Sequence, residues 1–108
     1  MKVQIYVTQE QKQPFATWIG KLKDAKGRAV INARIGRLRL GNFGDCKAIG
    51  DGVSELRINF GPGYRVYFGK SGEEVVLLLC GGDKDSQPSD VTKAKELWAE
   101  YKSRATKG

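Results

Sequence analysis

The sequence predicts one small domain of the α+β class. The chain has 108 residues, 40% of them hydrophobic, which is enough for a single core. Apolar residues recur at helical spacing before Gly41 and again near the carboxyl end, whereas between Asp45 and Gly82 they alternate as in strands. The predicted order over residues 1–108 is β-α-α-β-β-β-β-α, with a mostly antiparallel sheet packed on a helical hairpin.

Two adjacent helices are predicted before Gly41, and together they form the hairpin. The first has Pro14 in its opening turn and an apolar face made of Phe15, Trp18, Ile19 and Leu22. Asp24 is placed to cap the second helix, and Ser89 or Asp90 to cap a final one. The apolar line of the second helix is Ile31, Ile35 and Leu38, and that of the last is Val91, Ala94, Trp98 and Tyr101.

Alternating apolar residues, together with one run that is apolar on both faces at 75–80, predict five strands. They cover residues 1–7, 47–49, 53–60, 64–68 and 75–80. The Gly61-Pro62-Gly63 sequence indicates a turn, and a three-residue turn places Phe60 opposite Tyr64. The same register brings Leu79 beside Tyr64, and the Gly81-Gly82 pair is expected to end the last strand.

The predicted register gathers polar side chains on the face of the hairpin away from the core. Arg57 lies across from Tyr67, and Asn59 lies across from Arg65. A guanidinium stays protonated at neutral pH and binds a phosphate through two parallel hydrogen bonds. The patch therefore suits a phosphodiester.

The loop that follows the last strand adds to this patch. Lys84 and Gln87 are expected to hang beside Arg65. An alternative stays open, in which Arg57 and Arg65 are structural and pair with Glu55 or with an acid of the last helix.

Charge and composition restrict the function further. The 19 Lys and Arg residues against 12 Asp and Glu give a net charge of +7, which favours a polyanionic partner such as nucleic acid. The absence of histidine excludes histidine metal sites and histidine-containing triads. Asp83, Asp85 and Asp90 follow no metal-ligand spacing, so we expect no metal or other cofactor.

No segment of the sequence indicates a membrane or secretory destination. The longest apolar run, residues 75–80, is far shorter than a bilayer span. The first residues alternate like a strand and lack the apolar core of a signal peptide. We therefore expect a cytoplasmic protein.

Four segments taken together resemble the RelE/ParE toxin superfamily, and most closely its phage-derived, HigB-like branch. They are LRLGNFGD at 38–45, ELRI at 55–58, GPGYRVY at 61–67 and LLCGGDK at 78–84. The resemblance implies a RelE-like fold and a type II toxin that cuts messenger RNA in the ribosomal A site. In such cleavage the 2′-hydroxyl attacks the adjacent phosphate and leaves a 2′,3′-cyclic phosphate.

The resemblance also implies roles for individual residues. The positions that match the family's catalytic cations are Arg57, Arg65 and Lys84. Other members carry a tyrosine or histidine near the start of the last helix, where this chain has Pro, Ser and Asp at 88–90. Tyr67 is therefore the first candidate for moving the proton, and Asp90 is the second. The expected contacts to RNA and the ribosome are Lys47, Asn59, Gln87, Arg37 and Arg39.

The implied partners are the ribosome, messenger RNA and a cognate antitoxin, expected to be a small helix-turn-helix protein. Operator DNA is expected to be contacted only through the antitoxin complex, and no membrane contact is expected. Two alternatives stay open, because fold does not determine function: a ParE-type DNA gyrase inhibitor and a non-catalytic nucleic-acid-binding domain. The arginines of the sheet and Lys84 favour the nuclease.

Overall fold

A five-stranded mixed sheet forms the centre of the fold. The computed structural model describes residues 1–107. Its elements are β1 (Lys2–Ile5), α1 (Pro14–Lys21), α2 (Ala25–Arg39), β2 (Cys46–Gly50), β3 (Val53–Ile58), β4 (Tyr64–Ser71), β5 (Val75–Asp83) and α3 (Gln87–Lys107). The strands lie in the order β1-β5-β4-β3-β2, with β1 parallel to β5 and the other neighbours antiparallel. The predicted α+β class, element order and mostly antiparallel sheet are confirmed.

Helices cover both faces of the sheet. On one face α1 packs on β5, while α2 packs on β1 and β3. The two helices contact the sheet more than they contact each other, which differs from the predicted helical hairpin. The core on this face includes Phe15, Ile31, Ile35, Leu38, Leu56, Ile58, Val66 and Phe68. On the other face α3 packs on β5 and β4, and its core includes Val53, Tyr67, Leu77, Leu79, Ala94 and Trp98. Within residues 1–107, no helix is both long and apolar enough to cross a membrane.

Asp24 joins the start of α2 to the sheet. Its carboxylate accepts hydrogen bonds from the backbone N–H of Gly27 (2.9 Å), as predicted for a helix cap, and from the hydroxyl of Tyr64 (2.7 Å). The Gly27 bond and then the Tyr64 bond lower the pKa of Asp24. The bond to Asp24, together with burial, raises the pKa of Tyr64 to about 12.

The hairpin of β3 and β4 has a longer loop than predicted. Ile58 pairs with Tyr64 and Arg57 pairs with Arg65, so the predicted pairing of Phe60 with Tyr64 is wrong and the loop has five residues instead of three. Because the shift is two residues, each side chain keeps its predicted face while its neighbour across the strands changes.

The last strand also extends further than predicted. Gly81 and Gly82 lie inside β5 instead of ending it, and Tyr64 faces Asp83 instead of Leu79. A side chain at Gly81 would overlap the indole of Trp18, and one at Gly82 would overlap Asp90 and Ser86. The two glycines therefore serve close approach of the helices on opposite faces, and they do not break the strand.

Replacing Gly69 by alanine is expected to destabilise the protein by about 1–3 kcal/mol, because a side chain there would overlap the indole of Trp98. Gly36→Ala is the control, since the space around Gly36 in α2 is open and alanine favours a helix over glycine by about 0.5–1 kcal/mol. Urea unfolding measures both free energies. Equal stability of the two variants would contradict the packing of α3 on β4.

The ionised carboxylate of Asp24 is expected to stabilise the folded state, so the free energy of unfolding should fall at acid pH. The folded chain holds the pKa of Asp24 below its ordinary value of 3.8, so the unfolded state binds this proton more readily. The resulting stabilisation is present above about pH 4 and is lost as the pH falls through the lowered pKa. Asp24→Asn should therefore flatten the acid limb of the unfolding free energy, measured by urea unfolding from about pH 2 to 6. The exposed Glu10→Gln is the control, and an Asp24→Asn limb as steep as the wild-type limb would contradict the linkage.

Candidate functional site

Three basic side chains converge on a cleft of about 330 Å³ at one end of the sheet. Arg57 lies near the end of β3, Arg65 near the start of β4, and Lys84 directly after β5. They meet because Arg57 pairs with Arg65, and because Asp83, the last residue of β5, pairs with the first residue of β4. The other lining residues are Asp45, Ile58, Asn59 and Gly63.

Glu55 is a buried acid directly behind this cleft, with only 2% of its surface exposed. Its Oε2 accepts a hydrogen bond from the Gln87 amide (2.7 Å) and lies 3.7 Å from Nε of Arg65. Nη1 of Arg65 in turn donates to the carbonyl of Gly63 (3.0 Å). Glu55 is therefore the counter-ion of Arg65, whereas the hydrogen bond that orients the guanidinium goes to Gly63, since Nε of Arg65 makes none among the described residues. From the sequence alone, Glu55 is predicted only as an ion-pair partner.

Arg57 has a different counter-ion. Its Nη2 and Nε lie 2.9 and 3.2 Å from Oδ1 of Asp45, a residue of the loop between α2 and β2. The alternative that both arginines pair with Glu55 or with an acid of the last helix is therefore right for Arg65 and wrong for Arg57. The Arg57 pair is exposed, at 41% and 54% of the two side chains, whereas the Arg65 pair is nearly buried.

Tyr67 lies beneath the site and not in it. Its partner across the strands is Glu55, not the predicted Arg57, and α3 covers it so that none of its surface is exposed. Burial, followed by the nearby Glu55 charge, raises the pKa of Tyr67 far above its ordinary value of 10.0. Its hydroxyl has no hydrogen-bond partner among the described residues. This geometry disfavours a direct role for Tyr67 in moving a proton at the cleft.

Asp90 lies over Gly82 of β5 and not in the basic cleft. The helix α3 begins at Gln87, ahead of the predicted caps Ser89 and Asp90. The Ser86 hydroxyl donates to the Asp90 carboxylate, and the Asp90 N–H donates to the Ser86 carbonyl (3.0 Å). Asp90 lines a second cleft, of about 860 Å³, together with Trp18 and other residues, and it does not line the basic one.

The remaining predicted RNA contacts are dispersed. Asn59 is exposed and lines the basic cleft, whereas Lys47 is exposed on the edge strand β2. Arg37 and Arg39 are exposed in the last turn of α2, away from the cleft. Gln87 donates its side-chain amide to Glu55, so that group is used inside the fold.

Similarity searches relate this chain to a protein of Haemophilus influenzae strain Rd. That protein, described as uncharacterized, is 53% identical over 83 residues, which span 77% of this chain and 84% of the relative. No protein-family model matches the chain. The description of that protein names no activity.

Replacing Glu55 by alanine is expected to destabilise the protein by about 3 kcal/mol, because the largely buried Arg65 loses its counter-ion. Glu10→Ala is the control, since it removes an exposed carboxylate paired at 4.0 Å with Lys12 and should leave stability unchanged. Thermal and urea unfolding measure both effects. A Glu55→Ala variant as stable as the Glu10 control would show that the buried pair does not organise this end of the sheet.

Proposed function

The chain belongs to the same family as the Haemophilus influenzae protein, and we propose that it is a ribosome-dependent endoribonuclease toxin of the RelE type. The observation that carries the proposal is the convergence of Arg57, Arg65 and Lys84 on one small cleft. The element order, with two helices on one face of a mostly antiparallel sheet and a final helix on the other, supports a RelE-like topology. The segments at 38–45, 55–58, 61–67 and 78–84 support the HigB-like branch.

The proposed reaction is an attack of the 2′-hydroxyl oxygen on the neighbouring phosphorus. A bond forms between the 2′-oxygen and phosphorus as the bond to the 5′-oxygen breaks, giving a 2′,3′-cyclic phosphate and a 5′-hydroxyl. The proton of the 2′-hydroxyl passes to solvent water, and the 5′-oxygen takes up a proton as it departs. Arg57 and Arg65 hold the non-bridging oxygens and stabilise the charge that grows on them. Lys84, an exposed ammonium at the rim, donates to the departing 5′-oxygen.

Glu55 contributes to this chemistry through Arg65. Because Glu55 is buried and does not line the cleft, we treat it as a positioning residue that keeps one guanidinium in place before substrate arrives. A donor that is already in place stabilises the charge of the transition state without a cost of reorganisation during the reaction.

The wider basic surface supports a large RNA target. Lys47, Arg37 and Arg39 are exposed outside the cleft and are suited to contacting ribosomal RNA through its phosphates. Asn59 extends the cleft itself and is suited to contacting the message. The proposal includes a cognate antitoxin of the small helix-turn-helix type as the neutralising partner.

A ParE-type gyrase inhibitor remains the alternative on the same fold. Gyrase inhibition requires a protein-binding surface and no phosphate chemistry, so it gives no reason for two guanidiniums and an ammonium to share one cleft. The cleft therefore favours the nuclease.

Mapping of 5′ ends on a translated message, with and without ribosomes, tests the proposal. The wild-type chain is expected to give ribosome-dependent cuts, and Arg57→Ala to slow them about 10²-fold through loss of one charge-stabilising donor. Arg57 is the better variant because its ion pair is exposed, whereas Arg65→Ala strands the buried Glu55. Lys102→Ala, an exposed cation on α3, is the control and should cut at the wild-type rate.

Two results would overturn this proposal. Cuts of undiminished rate in Arg57→Ala would remove the cleft from the reaction. An intact message in cells poisoned by the protein, together with lost supercoiling by gyrase, would replace the nuclease with the inhibitor.

A further inference from the structure

The cleft is lined by one carboxylate, that of Asp45, and this carboxylate forms an ion pair with Arg57. Asp45 lines the cleft together with Arg57, Arg65 and Lys84. Its Oδ1 accepts from two nitrogens of the Arg57 guanidinium, at 2.9 and 3.2 Å. Carboxylate and phosphate oxygens are the two acceptor types that a guanidinium binds in this way, so Asp45 lies where a phosphate oxygen would bind.

Hydrogen bonds to backbone groups hold Asp45 beside Arg57. The Asp45 carbonyl accepts from the N–H of Arg57 (2.9 Å), so the two residues are joined through main chain as well as side chain. Arg34 of α2 donates to the carbonyls of Arg57 (2.8 Å), Phe43 (3.3 Å) and Asp45 (3.4 Å). One guanidinium therefore ties the loop before β2 to the end of β3, which holds Asp45 against Arg57.

The contact is nevertheless exchangeable. About half of each side chain is exposed, at 41% for Arg57 and 54% for Asp45. Exposed ion pairs of this kind contribute little net stability and weaken with salt. Arg65 differs, because its counter-ion Glu55 is buried and cannot leave without stranding a charge.

We propose that the Asp45 carboxylate competes with phosphate for Arg57. In the free protein Asp45 pairs with Arg57, and the phosphate of bound RNA displaces it. The inference rests on the proposed function for the identity of the ligand as RNA. Displacement lowers the affinity for every phosphate ligand by the same factor. Free RNA then binds poorly, whereas a message held by a second set of contacts, at high effective concentration, still fills the cleft.

Binding of a short RNA that carries a 2′-O-methyl group at each position, and therefore cannot be cleaved, tests the competition by fluorescence anisotropy. Asp45→Asn is expected to bind about 5- to 10-fold more tightly than wild type, and its salt dependence to steepen by about one phosphate contact. In an Arg57→Ala background the same change should have less than about a twofold effect, because the site of competition is gone.

Asp51→Asn is the matched control. Asp51 is also an exposed acid in an exposed ion pair, with Lys95 at 3.8 Å, and its loss changes the net charge equally without touching the cleft. Equal tightening by Asp45→Asn and Asp51→Asn would reduce the effect to overall charge and overturn the inference. Weaker binding by Asp45→Asn would make Asp45 a support for Arg57, and undetectable binding by both wild type and Asp45→Asn would also overturn the inference.

The two proposals fail separately. The anisotropy experiment requires no cleavage, so a chain that never cuts a message still shows whether Asp45 competes for a phosphate. A chain that cuts on ribosomes, with Asp45→Asn binding no more tightly than wild type, retains the nuclease and loses the competitor.

Discussion

The buried carboxylate of Glu55 is the constraint on which this end of the molecule depends. A charge with 2% of its surface exposed is tolerated only when it is paired and hydrogen-bonded. Its two partners come from different elements, Arg65 from β4 and Gln87 from the first residue of α3. Satisfying one acid therefore fixes how β3, β4 and α3 meet, and it leaves Arg65 beside the cleft that Arg57 and Lys84 complete.

Close approach of helices to the sheet is the second constraint, and glycines in the strands permit it. Gly69 lies under the indole of Trp98, and Gly82 lies under Asp90. Any larger residue would push α3 outward, which would carry Gln87 away from Glu55. The packing of the helix layer and the burial of the acid are thus one structural problem with a common solution.

The sequence predicts the elements and the faces of the strands because periodicity depends on local geometry. It places Arg57, Arg65 and Lys84 together for the same reason, since a register error of two residues leaves every side chain on its face. It fails where the answer depends on contacts distant in the chain. The length of the loop before Tyr64, the continuation of β5 through Gly81 and the burial of Tyr67 are all decided by packing against helices.

The two arginines of the cleft differ in the one property that residue type does not reveal, the burial of the counter-ion. Arg65 is held by an acid that cannot move into water at low cost, so its guanidinium is a fixed part of the site. Arg57 is held by an acid on an exposed loop, so its guanidinium is available for exchange. A phosphate that enters the cleft therefore meets the Arg65 guanidinium already in position, and it must displace Asp45 to reach the Arg57 guanidinium. The strength of the Asp45 pair relative to the phosphate contacts determines the affinity of the cleft.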